Sequence, residues 1–197
     1  AEASKGIGQQ IVIENKPGAS GKILYEYLKT QAPDGYTLGY MSTTGAVLSA
    51  VSSRLDFDVV KDFVPITVLA EFTSVLAAST AVPAKDFREL VAYARANPGK
   101  IAYASYGAKG QGHLTMEQVK LAAGVEFTHI PFRGEAPTLQ ALLRNDVQIG
   151  PVILSTKQYV DAGQLKILAA FGTTRSEEYP DVPTLIEQGF PVSSKTW

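Results

Sequence analysis

Apolar residues in this 197-residue chain switch repeatedly between two spacings, one suited to strands and the other to helices. The stretch IAYASYGAKGQGHLTMEQVKLAA, residues 101–123, shows the switch most completely. It opens on a short β-prone run at Ile101 and Tyr103 and passes through a loop holding Gly107, Gly110 and Gly112. Leu114, Gln118 and Leu121 then fall at i, i+4 and i+7, with Val119 and Ala122 beside them, which is helix spacing. A strand, a glycine loop and a helix start leave several backbone N–H groups without an internal partner. Aligned peptide dipoles add partial positive charge there, so the spot suits a carboxylate or phosphate. An ordinary βα turn gives the same pattern, and the loop has neither a dinucleotide fingerprint nor a Walker A spacing.

The same unit is predicted upstream, with a strand over 10–14 that Pro17 ends and a helix capped by Ser20. Ile23, Leu24, Tyr27 and Leu28 give that helix its apolar face. A turn at 33–35 leads to a strand over 36–40, then to hydroxyl-rich residues 42–44 and a helix over 46–51. Those hydroxyls fit helix capping or a ligand-facing loop. Residues 55–63 read as irregular surface segments. Two buried strands follow at 65–70 and 74–78 with no helix between them, so the chain is expected to cross from one sheet to another near Thr73. Asp86 caps a helix with Leu90, Val91 and Ala94 inward, which residues 97–99 stop. Strands are predicted over 127–131, 147–154 and 165–171, with helices over 137–143, 155–160 and 184–188.

Strands alternating with helices specify an α/β protein with mainly parallel sheet, whose ligand loops lie outside the strands' carboxyl ends. The loops 17–21, 42–45, 107–113, 132–136, 155–156 and 172–174 fall on those edges. The opening AEASKGIGQQ reads as the tail of a helix already under way, and FPVSSKTW stops without a closing element, so both ends are expected to be cut.

Charge and composition narrow the chemistry. A net charge of −1 without a basic run gives no support for a nucleic-acid surface, and no apolar stretch reaches the ~20 residues a membrane helix needs. The absence of cysteine removes disulfides and thiolate chemistry. His113 and His129 are the only histidines, with no acidic partners at metal-ligand spacing. His113, at a helix start, is expected to be neutral and to serve either as a cap or as a ligand contact, and His129 as a core or edge residue. Ser20, Ser42 and Ser155 lack a nucleophile-elbow context, so no catalytic residue is assigned. Tyr25, Tyr36, Tyr40, Tyr93 and Tyr103 are expected in or beside the core, and Tyr106 as an aromatic wall of the ligand loop. Arg133 is the strongest charged contact for a carboxylate, with Glu135 either neutralising it or capping the next helix.

Several segments, in order, resemble the extracytoplasmic solute receptors of tripartite tricarboxylate transporters, often called the Bug family. They are ENKPGASG at 14–21, PDGYTL at 33–38, FDVVKDFVPI at 57–66, NPGKIAYASYG at 97–107 and GHLTMEQ at 112–118. IPFRGEAPTLQALL at 130–143, GQLKILAA at 163–170 and PDVPTLIEQGFP at 180–191 complete the set. The resemblance implies a two-lobed clamshell of the periplasmic binding-protein type II kind, with mainly parallel sheets and no cofactor. Residues 1–73 would be an incomplete first lobe, 74–191 the second, and 192–197 the start of the return. It implies a periplasmic protein that holds a small carboxylate solute between its lobes and then docks on membrane transporter subunits. By position it favours Gly18, Ala19, Ser42 and Thr43 in one lobe, and Gly107, Gly110, His113, Arg133, Gly134 and Ser155 in the other. It further implies a missing strand and ligand loop before Ala1, with self-association through the unpaired edge. The chain departs from the family's pattern at Lys109, Gly110 and Gln148. The competing classes are a ligand-sensing domain of a regulator or signalling receptor, and an α/β enzyme using a phosphorylated cofactor.

Overall fold

The computed structural model describes residues 2–52, 55–153 and 156–196. The first part of the chain supplies three helices, α1 (Glu2–Ile7), α2 (Lys22–Lys29) and α3 (Thr43–Val51). Tyr25 of α2 and Leu48 of α3 are buried with Phe57, and Phe63 packs against them. The Tyr25 and Phe57 rings lie 5.2 Å apart. This satellite core is small, because the apolar runs on either side do not join it. The strands predicted over 10–14, 36–40 and 65–70 are absent. Val12 is 80%, Tyr36 92% and Ile66 74% exposed, and Tyr40 also faces solvent rather than core. A strand forms only where a neighbour accepts and donates its ladder hydrogen bonds. Among the described residues, no segment lies beside these runs in that role.

From residue 75 onward, the continuous apolar runs do become strands. β1 (Val75–Ser79), β2 (Ala102–Ser105), β3 (Thr128–Pro131), β4 (Ile149–Val152) and β5 (Leu165–Ala170) form one sheet in the order β3-β2-β4-β1-β5. β2 runs parallel to β3 and β4, whereas β1 is antiparallel to β4 and β5. The sheet is therefore mixed, not mainly parallel as expected: reversal of β1 makes two of its four pairings antiparallel.

Period-two alternation sorts the side chains onto two faces. Leu76, Ala78, Tyr103, Ile149 and Leu168 pack against α4 (Phe87–Ala96) and α5 (Gln111–Ala123), through Phe87, Leu90, Met116 and Val119. Val75, Ala77, Ala104 and Val152 pack against Leu139 and Leu142 of α6 (Glu135–Leu143), with Tyr159 of α7 (Lys157–Asp161) alongside. Helices on both faces are why β1 and β4 are buried throughout. Asp86 caps α4 as predicted, accepting the Glu89 N–H at 2.8 Å.

The helix predicted over 184–188 is a set of turns. Its opening box forms: Thr184 Oγ1 accepts the Glu187 N–H at 3.0 Å, and Glu187 Oε2 accepts the Thr184 N–H at 2.7 Å. Gly189, at φ 95°, stops elongation after one turn, too short to offset nucleation. Thr184 instead pairs in parallel with Ala170. Near the end of the chain, Thr196 pairs antiparallel with Phe72, and Lys195 meets Glu71 at 2.7 Å. The segment entering the sheet and the segment leaving it thus run side by side.

Candidate functional site

Three neighbouring parallel strands, β3, β2 and β4, end at one edge of the sheet. The loops into α5, α6 and α7 consequently share that edge, where an open α/β sheet places its ligands. The first-turn N–H groups of α5, at Gln111, Gly112 and His113, have no acceptor within the helix. Gly134 precedes α6 at φ 105°, and Arg133 beside it is exposed. The Tyr106 hydroxyl is buried and makes no hydrogen bond of ordinary geometry to a described residue. Its nearest polar neighbours are the Glu135 carboxylate and the Ile153 amide, and burial, with Glu135 adding, pushes this phenol far above its usual range. Ser155, assigned by resemblance, lies outside the described residues. Thr156 does not cap α7; its hydroxyl donates to the Ile153 carbonyl at 2.8 Å.

The loop 18–21 comes from the first part of the chain and meets this edge. All four of its residues have positive φ: Gly18 127°, Ala19 47°, Ser20 55° and Gly21 90°. For Ala19 and Ser20 that conformation costs roughly 1–2 kcal/mol each, so it persists only because its surroundings hold it. Gly21, not Ser20, occupies the N-cap of α2, which corrects the expected cap. Ser20 is turned outward instead, and its hydroxyl donates to the Ala108 carbonyl at 2.9 Å. A Cβ at Gly107 would collide with Ser20 Oγ, and one at Gly110 would sit 3.3 Å from Thr44 Cγ2. Residues 18–21 and 42–45 therefore close against 107–110. Ser42 holds the N-cap position of α3 without a side-chain cap bond. The Tyr25 phenol is raised by burial, which its bonds to Ser42 partly oppose. Thr43 is the first residue of α3.

Beneath the 107–110 loop lies a stack of rings. His113 and His129 are 4.1 Å apart at 15°, and Tyr103 is 4.8 Å from His129. His113 Nδ1 accepts the Lys109 N–H at 3.0 Å, so it acts as a cap. His129 Nε2 lies 2.7 Å from Ser105 Oγ, which is also 3.0 Å from the Gly107 carbonyl and 3.3 Å from the Gly107 N–H. A hydroxyl with one proton satisfies all three only by donating to the carbonyl and accepting from the amide and from His129 Nε2–H. Ser105 is fully buried and committed in this way, so the Ser105–His129 pair fastens the loop rather than forming a nucleophile. Ser105 escaped the sequence reading, in which Thr44 is marked only as part of the hydroxyl-rich stretch 42–44. The legible signal for Ser105 was a hydroxyl two residues before a glycine at a strand end.

Burial lowers the His129 pKa to about 4, with His113 and Lys120 adding and Glu117 opposing. An unfolded chain takes a proton on this ring near pH 6.5, whereas the folded protein resists down to about 4. Stability is therefore unaffected above that window and falls as pH drops through it. After discounting for solvent screening of a partly exposed ring, the expected loss is about 1–2 kcal/mol. Urea denaturation at pH 7.5 and pH 4.5 measures it, with His129→Asn as the variant expected to lose this component.

Two concavities lie away from this edge. One of about 460 Å³ is flanked by Lys29, Asp56, Asp58 and Asp62. Lys29 is already paired with Asp62 at 2.8 Å, which leaves a surplus of carboxylates that repels an anion. The other, about 260 Å³, is lined by Glu117, Lys120 and Glu126, and the lysine bridges both acids. The loop edge is the better place for an anionic ligand on charge grounds, whatever the size of these hollows.

Comparison with known proteins follows the same lines. The profile of the tripartite tricarboxylate transporter family receptor, TctC, matches residues 1–197. A UPF0065 protein from the gbd 5′ region of Cupriavidus necator is 39% identical, and the match covers 96% of this chain and 58% of the relative. The structure of R. palustris Rpa4515 with adipate aligns at a TM-score of 0.92 and 30% identity, covering 99% of this chain and 66% of that one. MatC (Rpa3494) from Rhodopseudomonas palustris with bound malate aligns at 0.92 and 29% identity, covering 100% and 68%. The chain thus spans under three fifths of the curated relative and about two thirds of the solved chains. With a profile matched from end to end and the same backbone path as these structures, this chain belongs to the tripartite tricarboxylate transporter receptor family.

Proposed function

We propose that the protein is a periplasmic receptor that holds a small carboxylate solute between the loops 18–21 and 42–45 on one side and 107–110 and 133–134 on the other. The observation that carries this reading is the meeting of two left-handed loops from separate parts of the chain at the edge where three parallel strands end. Helix N-termini there offer roughly 0.3–1 kcal/mol each to an anion, and amide hydrogen bonds to a desolvated carboxylate add more, enough together for micromolar binding. Adipate and malate in the two similar structures, both dicarboxylates, support a carboxylate of that kind as the solute. In this reading Arg133, exposed beside Gly134, takes one carboxylate in two parallel hydrogen bonds. The solute is bound and released unchanged.

The division into lobes follows the same reading: 1–73 in the first, 74–191 in the second, and 192–197 beginning the return. The pairing of Phe72 with Thr196 supports two crossings that lie together and bend as one. A ligand that touches both lobes only when they are closed shifts the population toward the closed form, which docks on membrane transporter subunits. The exposed runs at 11–13 and 66–69 support self-association of this chain through unpaired edges.

Thermal-shift screening of the full-length protein against mono- and dicarboxylates tests the proposal. At a solute concentration of 100 Kd, binding adds about 2.7 kcal/mol, which for a protein of the relatives' length is a Tm rise of roughly 3–5 °C. A flat response to every acid, adipate and malate included, would overturn it.

A further inference from the structure

The geometry points to His113 as a positioning residue that holds the 107–110 loop shut only while its imidazole is neutral, so that acid loosens the grip on a bound carboxylate. This inference rests on the receptor reading above. With Gly110 at the N-cap of α5, His113 is the third residue of the helix. From that position a Glu or Gln ordinarily reaches back to satisfy a free backbone N–H at the helix start. Here the imidazole takes that part, one residue further out, with Nδ1 accepting the Lys109 N–H at 3.0 Å. Lys109 has φ 64°, a left-handed conformation that a lysine keeps only when something fixes it.

An acceptor nitrogen carries no proton, so neutral His113 is the Nε2–H tautomer. A second proton can be added only at Nδ1. That turns the acceptor into a donor facing another donor, and the Lys109 N–H loses its partner. The loop then keeps the Ser105 fastening at Gly107, the Ser20 contact at Ala108 and the helix bond from Leu114 to Gly110. A glutamine at this position would make the same bond at every pH; a histidine makes it conditional.

The groups around the ring define when this happens. Glu117, on α5, stands 3.9 Å from His113 Nε2 and favours the charged form. Lys120 on α5 and the partial positive charge of the helix N-terminus oppose it, and the His129 ring of β3, stacked 4.1 Å away, carries no charge in this range. Tyr103 of β2 donates to Glu117 at 2.7 Å, and Glu126 takes a share of Lys120 at 3.2 Å. Lys109 contributes its own exposed ammonium from the loop. Of the two stacked imidazoles, His113 is the one facing a carboxylate, while burial keeps His129 neutral down to about pH 4.

NMR of the full-length protein between pH 8 and pH 5 decides the point, following the side-chain nitrogens of His113 and the backbone amide of Lys109. The two are expected to titrate with one midpoint, and in His113→Gln the Lys109 amide should stop responding. Calorimetry with the acid that gives the largest thermal shift should show affinity falling at least tenfold from pH 8 to pH 5. In His113→Gln the fall over the same range should be under threefold. A Lys109 amide indifferent to the His113 titration, a His113 ring that takes no proton by pH 5, or equal pH losses in both proteins would overturn the role. If no acid binds at pH 8, the receptor reading fails, and the NMR titration still judges the latch on its own.

Discussion

Gly107→Ala is expected to weaken carboxylate binding by at least tenfold and to destabilise the fold by about 1–3 kcal/mol. Two effects add at this position. Its φ of 142° lies where a side chain is strained in any surroundings. The new methyl would also land on Ser20 Oγ, whose hydroxyl joins the two loops by donating to Ala108. Relief requires Ser20 Oγ to swing away from the Ala108 carbonyl or one loop to retreat, and either loosens the junction of the two loops proposed to share the ligand. Gly110→Ala is the matched control, because Gly110 has an ordinary extended backbone at φ −74°. Its added methyl would meet Thr44 Cγ2 at 3.3 Å and Ser20 Oγ at 3.4 Å, a tight fit that a small side-chain shift relieves. Calorimetry should show less than a threefold loss for Gly110→Ala. Equal losses in the two variants would mean that the loop contact at Gly107 is incidental to binding.

Phe87→Ala should produce the largest loss of stability, about 3–5 kcal/mol by urea denaturation. Phe87 is fully buried at the start of α4 and meets Phe190 edge-on, with centroids 4.8 Å apart at 89°. Its backbone N–H donates to Gln188 Oε1 at 2.8 Å, and Gln188 in turn donates to the Leu168 carbonyl at 3.0 Å. The ring thus packs the helix onto Phe190, while the backbone N–H of the same residue links it through Gln188 to β5. Ser194 then leaves that cluster to bond Phe171 and Gln111, on the path back toward Phe72. Truncating Phe87 opens a cavity beside Phe190, while its backbone bond to Gln188 and the Arg88 bonds to the same turns remain. A loss below about 1.5 kcal/mol would show that the tail is held elsewhere.

What could be read from the sequence follows what surrounds each run of residues. β1, β4 and β5 were legible because both faces are covered by helices, so burial writes continuous apolar runs. α4 was legible to its cap, since Asp86 satisfies a helix start through purely local chemistry. The runs at 10–14, 36–40 and 65–70 carry equally strong β patterns and stay unpaired. Periodicity reports a segment's preference for a face, whereas a strand also requires a neighbour that no local pattern contains. Ser20 misled for a related reason. A serine before an amphipathic run signals an N-cap, but the flanking glycines, Gly18 and Gly21, make a left-handed turn that points its hydroxyl at Ala108.

The candidate site was legible as loops more than as side chains. The 18–21 loop meets the 107–110 loop through Ser20, and both loops were marked by their glycines. The fasteners beneath them, Ser105 and His129, lie 24 residues apart in sequence and meet only because β2 and β3 pair in parallel. Only the register Tyr103↔His129 brings that contact about.

The most direct measurement is a crystal structure of the full-length protein grown with the acid that stabilises it most. One carboxylate is predicted between residues 18–21 and 107–110, within hydrogen-bonding distance of backbone amides from both. An acid bound by one of these loops alone, or seated in the hollow beside Asp56 and Asp62, would contradict the two-sided grip.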